Sequence, residues 1–284
     1  MEQLDKKYLT WFIEKSLTED IGDGDHTSNA CIEENDISKA KLLVKDHGTI
    51  AGVELAEMIF KNVDKDFKFE KHFEDGDAVN YGDVVFHVEG NTRNLLKTER
   101  LVLNAMQRLS GIATLSHRFA FEVGDLKTKI LDTRKTTPML RPLEKWAVRI
   151  GGCQNYRDGL YDWIMIKDNH VEASGGIKEA IQDVQKYLKQ NNMNLGITVE
   201  VRNLVELHQV LEVGGITRIM LDNFETTIMQ EAVETINGRY EVEASGGVTL
   251  QTVRKIAQTG VDFVSTGAIT HSAGILDLSL KIIK

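Results

Sequence analysis

Proline is nearly absent from this sequence. The two that occur, Pro138 and Pro142, stand in one short stretch. No proline-rich or other low-complexity segment is present, and no tandem repeat. Cysteine is as scarce, with Cys31 and Cys153 far apart and in no CxxC spacing. That excludes a zinc-ribbon or disulfide framework and reads as two reduced thiols of a cytoplasmic protein. No apolar run approaches the roughly 20 residues a membrane helix needs. Excess positive charge is missing too: the net charge is −9, which argues against non-specific nucleic-acid binding. GxxxxGK[ST] and GxGxxG are absent, so nucleotide folds of those kinds are not expected. No HxxxH or His-Cys constellation suggests zinc, and His170 is a lone histidine. The N-terminus, "MEQLDKKYLTWFIEKSL", has early acids and apolar residues at helical spacing, unlike a signal peptide.

What is present is ordinary globular material: 284 residues, 42% hydrophobic and 27% charged, enough for one large domain or two. Against the acidic whole, one stretch is basic. From Arg134 to Lys167 there are seven cations (Arg134, Lys135, Arg141, Lys145, Arg149, Arg157, Lys167) and three anions (Glu144, Asp158, Asp162), so 7 − 3 = +4.

Two textures divide the chain. Residues 1 to about 110 open with a helix and a Gly/Asp-rich loop, "EDIGDGDHTS". Strand-like runs follow: "KAKLLVKDHGTIAG", "FKFEKHF" and "DAVNYGDVVFHVEG", punctuated by "EDGD" and "NYGD". "KTERLVLNAMQRLSGIATLSHRFAFEV" then reads as a long helix. From about residue 128 short β-branched runs alternate with amphipathic stretches: "TKILDT", "WIMIKD", "ITVEV", "RIMLD", "YEVEAS" and "DFVSTG". That alternation predicts a parallel sheet, either a β/α barrel or a doubly wound open sheet.

Each run ends in polar residues: Asp132 to Arg134, Lys167 and Asp168, Glu200, Asp222, Ser245, and Ser265 to Gly267. In β/α barrels chemistry sits at the C-terminal strand ends, so these positions predict a site. Arginine forks and lysine point charges suit a multiply charged small molecule. A solvated helix face accounts for Arg149, but not for Arg134 and Lys135 before a proline-stiffened turn. Glu200 and Asp222 suit Mg2+ or a developing positive charge, or else an ion pair with nearby cations. "SGGVTL" and "STGAITHS" offer small residues where backbone amides approach an anion, which suits phosphate at the last two strand ends. Cys153 has no local base and is a poor nucleophile.

These segments, in this order, resemble quinolinate phosphoribosyltransferases along nearly the full chain. "DTRKTTP" with "KDNH" is the most specific part, joined by "ERLVLNAMQRLSGIAT", "MLDNF", "EASGGVTL" and "STGAITHS". The resemblance implies an α/β fold: an N-terminal α/β sandwich over 1–111, joined by the tail 272–284, and an open α/β barrel of six or seven parallel strands over 112–271. It implies transfer of phosphoribose from phosphoribosyl pyrophosphate to quinolinate with decarboxylation, giving nicotinate mononucleotide, pyrophosphate and CO2, with Mg2+. Arg100, Arg134, Arg157 and Lys167 would hold the two carboxylates, with Tyr156 in the same pocket. Lys135 would meet the phosphoribosyl pyrophosphate, Glu200 and Asp222 would serve ribose and Mg2+, and Ser245, Gly246, Gly267 and His271 would cradle the 5′-phosphate. A homodimer is implied, with Arg100 reaching the partner's site.

Three positions depart from the family pattern. Tyr156 stands where "NHR" is usual, Arg202 where an acid usually follows "VEV", and Cys153 where a third glycine is common. Tyrosine donates a hydrogen bond but carries no charge at neutral pH. Two other readings keep the sequence facts: the same fold acting on another base such as nicotinate, and a non-catalytic metabolite-binding paralogue. Loss of the carboxylate pair would mark the latter, and both Glu200 and Asp222 are present.

Overall fold

The computed structural model describes residues 4–283, so residues 1–3 of the expected N-terminal helix and Lys284 of the tail lie outside it. Along the chain run α1 (Lys6–Ile21), α2 (His26–Cys31), β1 (Ile37–Val44), β2 (Gly48–Thr49), α3 (Val53–Val63), β3 (Lys68–Lys71), β4 (Ala78–Val79), β5 (Val84–Asn91) and the long α4 (Thr92–Glu122). Strands and helices then alternate: β6 (Lys129–Leu131), α5 (Arg141–Ile150), β7 (Ile164–Ile166), α6 (Asp168–Ser174), α7 (Ile177–Gln190), β8 (Ile197–Val201) and α8 (Leu204–Val213). They continue through β9 (Arg218–Asp222), α9 (Thr226–Ile236), β10 (Glu241–Ser245), α10 (Val253–Ala257), β11 (Phe263–Ser265), α11 (Ala268–His271) and β12 (Leu278–Ile283).

Two compact units result. The first comprises the chain up to His117, Pro142–Gly152 and the segment from Ala273 onward; the second comprises Arg118–Arg141 and Cys153–Ser272.

In the first unit a four-stranded sheet has the order β12-β1-β5-β3. β1 pairs antiparallel with both β12 and β5. Alternation along β1 buries Ala40, Leu42 and Val44 and leaves Lys39 and Lys41 on the opposite face. Helix α3 buries Leu55, Ile59 and Phe60, and Phe60 meets Phe67, Phe69 and Phe86 at centroid distances of 5.3, 6.1 and 6.2 Å. Full burial of such side chains contributes about 1.5–3 kcal/mol each. Helix α1 starts where the Asp5 carboxylate accepts from Lys7 N, and it buries Leu9, Ile13 and Leu17 at helical spacing. Glu144 of α5, fully buried, is matched by Arg108, whose Nη2 lies 2.9 Å away.

The second unit is built on six parallel strands in the order β6-β11-β10-β9-β8-β7. Strands β7 to β11 lie in sequence order, and the first strand, β6, returns to lie beside the last. A doubly wound sheet would reverse its order at a switch point instead. The sheet is an open barrel: β6 and β7 end it, and one parallel bridge, Leu131 to Gln154, extends it past β6. The strand expectations for residues 197–201 and 218–222 coincide with β8 and β9, and that for α7 with Ile177–Gln190. The stretch "LQTVRKIAQTG" yields only the short α10, because turns occupy residues 250–252 and 258–260.

Candidate active site

Side chains two residues apart on a strand share a face. One such set contains Met165 and Lys167; Thr198 and Glu200; Arg218, Met220 and Asp222; Glu241, Glu243 and Ser245. The parallel register sets them level: Ser245 opposes Asp222, and Glu243 opposes Met220. The polar ends form a rim, and beneath it the same face carries Thr198, Arg218 and Glu243, all buried.

A cavity of about 380 Å3 opens at this rim, lined by Arg134, Lys135, Tyr156, Arg157, Lys167 and Ser245 among others. Four of the seven cations of the basic stretch therefore meet in one space. Arg134 Nε is buried and lacks a hydrogen-bond partner, which leaves a donor for an incoming acceptor. Arg157 Nη1 donates to Trp163 O at 3.2 Å. Burial, then the Arg134 charge beside it, lowers the Arg157 pKa from its ordinary value. Two guanidinium groups that line one cavity and repel each other favour an anion there.

The remaining three cations have other work. Arg141 braces the turn through Thr136 Oγ1 at 3.0 Å and Asp158 O at 2.8 Å. Lys145 and Arg149 belong to the first unit, and Lys145 is buried there. Arg149 is half-buried, so a solvated helix face does not describe it. Asp132, fully buried after β6, accepts from Asn155 Nδ2 at 2.6 Å and Tyr156 N at 2.8 Å. That carboxylate fixes the "QNYR" loop and with it the directions of Tyr156 and Arg157.

Glu200 is the next-to-last residue of β8 and Asp222 the last of the neighbouring β9. Glu200 is paired with Lys167, Nζ to Oε2 at 2.6 Å, so the ion-pair reading of this residue holds. Asp222 accepts from Asn223 Nδ2 at 2.8 Å. Both are hard oxygen donors at the rim, a donor set that suits Mg2+.

Gly246 and Gly267 both stand where a side chain would not fit. Gly246, at φ 92°, lies against Asn223, and any Cβ there would run into that side chain. A Cβ on Gly267 would lie 2.8 Å from both Lys135 Cδ and His271 Cδ2. Gly267 thereby allows Lys135 and His271 to share one corner, and Thr270 Oγ1 locks it by donating to Lys135 O at 2.7 Å.

Sequence reasoning missed the floor beneath. Tyr156 Oη lies 2.6 Å from Thr198 Oγ1, which also accepts from Trp163 Nε1 at 2.9 Å. Arg218 sits under them, its guanidinium carbon 4.9 Å from the Tyr156 ring centroid, 5.6 Å from Trp163 and 3.9 Å from Phe263. It is ion-paired with Glu241 at 2.9 Å and Glu243 at 3.2 Å. Burial, with Glu243 adding to it, pushes the Tyr156 hydroxyl well above its ordinary value, so it stays neutral. Burial likewise raises the Glu243 carboxyl, with Ser265, Arg218 and Tyr156 pulling it back. A signal existed: charged residues at alternate positions of "RIMLD" and "YEVEAS" are unusual in strands covered on both faces.

Other positions sort as follows. His170 lines the cavity, and its Nδ1 accepts from Lys167 N at 3.0 Å, which caps α6. Arg202 turns to Glu206, Nη2 to Oε1 at 2.7 Å, and does not line the cavity. Arg100 is exposed on the first-unit part of α4. Cys153 is buried, and burial, then the nearby Asp132, raises its thiol to about 12. Among the described residues no helix is long and apolar enough to cross a membrane.

Comparison with known proteins agrees with this geometry. Residues 25–110 match the N-terminal domain of quinolinate phosphoribosyl transferase, and residues 112–281 match its C-terminal domain. A quinolinate phosphoribosyltransferase [decarboxylating] of Nicotiana tabacum is 48% identical over 96% of this chain and 82% of its own. A chloroplastic nicotinate-nucleotide pyrophosphorylase [carboxylating] of Arabidopsis thaliana is 48% identical over 95% of this chain and 81% of its own. Among solved structures, NadC from Streptococcus pyogenes superposes with a TM-score of 0.93 at 35% identity, covering 99% of both chains. The chain belongs to the quinolinate phosphoribosyl transferase family in both of its domains.

Proposed function

We propose that this protein transfers phosphoribose from phosphoribosyl pyrophosphate to quinolinate and decarboxylates the product to nicotinate mononucleotide. The observation that carries it is the convergence of Arg134, Arg157 and Lys167 on one cavity beside Lys135 and the glycine corner. Three cations suit two carboxylates on a planar ring, and the rigid forks set the ring's orientation.

In this reading the pyridine nitrogen attacks C1′ of the ribose while pyrophosphate departs. Positive charge develops on the sugar, and Glu200 and Asp222 lie at the rim to stabilise it. Lys135 and His271 take the phosphates. The ring carbon keeps the electron pair when its carboxylate leaves as CO2, the adjacent quaternary nitrogen stabilises that carbanion by its positive charge, and the carbon then takes a proton. No organic cofactor is required. Glu200 and Asp222 would hold Mg2+, which when bound would neutralise charge on the leaving pyrophosphate.

The same reading includes a homodimer in which Arg100 completes the partner's pocket, and a cytoplasmic location. Mixing Arg100→Ala and Arg134→Ala proteins tests the dimer: random re-pairing should restore about a quarter of the normal sites if Arg100 acts across the interface. No restoration would refute the crossing.

A second reading, turnover of a monoacid such as nicotinate, is favoured only by Tyr156, whose hydroxyl is neutral and engaged by Thr198. Purified protein supplied with phosphoribosyl pyrophosphate, Mg2+ and equal quinolinate and nicotinate decides. Mononucleotide with stoichiometric CO2 from quinolinate supports the proposal. Preference for nicotinate, or no mononucleotide at all, overturns it.

A further inference from the structure

The outer face of the first unit's sheet carries a cluster that the reaction does not use. β3 and β5 pair antiparallel, with Glu70 directly opposite His87. His72, two residues beyond Glu70, returns to the same face, and its backbone N donates to Val85 O at 2.9 Å. The two imidazoles meet edge to face, with centroids 5.0 Å apart and rings at 82°. His72 Nε2 and His87 Nδ1 are 2.7 Å apart. One ligand atom from each of Glu70, His72 and His87 lies within 4.8 Å of the other two.

At that nitrogen separation one ring donates and the other must accept through a bare lone pair. An unprotonated nitrogen is the form that binds metal. Partial burial, followed by the charges of Lys39 and His72, lowers the His87 pKa, while Glu70 opposes the shift. Lys41 faces His87 from β1 and acts in the same direction as Lys39. These lysines weaken attraction for any cation, so the site rests on the placement of its three side chains. Glu89, on the same face, is occupied by Lys68 at 2.7 Å, and Glu70 is the carboxylate that groups with the histidine pair.

We propose that Glu70, His72 and His87 form a binding site for a divalent transition-metal ion, with Zn2+ the best match. Two nitrogens and one carboxylate oxygen leave a fourth position for water, a set suited to Zn2+ and poor for Mg2+ or Ca2+. Tetrahedral zinc with bonds of about 2.0–2.1 Å separates its ligand atoms by roughly 3.4 Å. The histidine pair must therefore open slightly, with a Glu70 oxygen at the same spacing from both nitrogens. Glu70 and His72 are exposed, so side-chain rotation can make the adjustment. Bound there, the ion would staple the edge strand β3 to β5, and binding to the folded state alone raises thermal stability.

The full-length protein, stripped with a chelator, is titrated with ZnCl2 by calorimetry in excess Mg2+, which saturates oxygen sites without competing for imidazole. One Zn2+ per chain should bind, with Tm rising by several degrees. Glu70→Gln should weaken binding at least about tenfold, and His72→Ala/His87→Ala should abolish it, with the metal-free Tm and the proposed transferase activity unchanged. Co2+ should give the intense visible absorption of a four-coordinate site in the wild-type protein and not in the double variant. Because the Co2+ spectrum is read on the unaltered chain, it stands even if a variant folds poorly. No Zn2+ uptake by the wild type, no such Co2+ band, or binding that survives loss of both histidines overturns the assignment.

Discussion

Lys167 Nζ and Glu200 Oε2 lie 2.6 Å apart at the ends of the neighbouring strands β7 and β8. Two residues expected to serve different substrates thus hold each other. Lys167 is 42% exposed on its side chain and Glu200 10%, so the pair is half in water and its net stabilisation is small, about 0–1 kcal/mol. Such a pair positions its members without locking them.

Lys167→Ala should therefore act on binding more than on folding. The expected outcome is a rise of at least about tenfold in KM for quinolinate, with a smaller change in KM for phosphoribosyl pyrophosphate, in steady-state kinetics. Equal effects on both constants would contradict the assignment.

Arg134→Ala should abolish quinolinate turnover, since Arg134 supplies a buried donor without another partner. Isotope-labelled CO2 release measures it. An active variant would place the ring elsewhere.

Tyr156→Phe removes the hydroxyl that Thr198 engages and should cost about 1 kcal/mol in urea unfolding. Tyr156→His should retain quinolinate turnover, because a ring above the Arg218 cation stays neutral, as the tyrosine does. Loss of turnover in Tyr156→His would show that the tyrosine itself is required.

Arg218→Met leaves Glu243 buried without its cation and should destabilise by about 3–5 kcal/mol. Adding Glu243→Gln should recover much of that loss. A double-mutant cycle in urea reads the coupling, and additive effects would argue against the pair.

With thiol reagent at about pH 8, Cys31 should react and Cys153 should not, because Cys153 is buried with its thiol raised to about 12. Raising the pKa leaves less thiolate at a given pH, so the slow site is the buried one. Denaturant should expose the second equivalent; rapid labelling of both thiols in the native protein would refute the burial.

Much of the barrel was legible because its signals are local. The β8 and β9 runs are short and rich in apolar and β-branched residues, with a carboxylate, Glu200 or Asp222, at or next to the C-terminal end. α10 was less legible, since its apolar spacing looks helical while the chain turns at both ends. Helix α3 was not foreseen. It begins after Gly52 and buries Phe60 against Phe86, a contact distant in sequence. The basic stretch was legible as charge but not as geometry. Arg141, Lys145 and Arg149 look like Arg134 and Arg157 in sequence, and only their packing removes them from the pocket.

The sequence by itself determined which residues are available at the strand ends, because alternation and strand length are set by neighbouring side chains. Tertiary structure alone decided which of them meet. Lys167 joins Glu200 because β7 and β8 pair in register, and Arg218 reaches Tyr156 because the barrel curves them onto one interior face. Backbone pairing between distant segments sets those distances, and no local pattern encodes them.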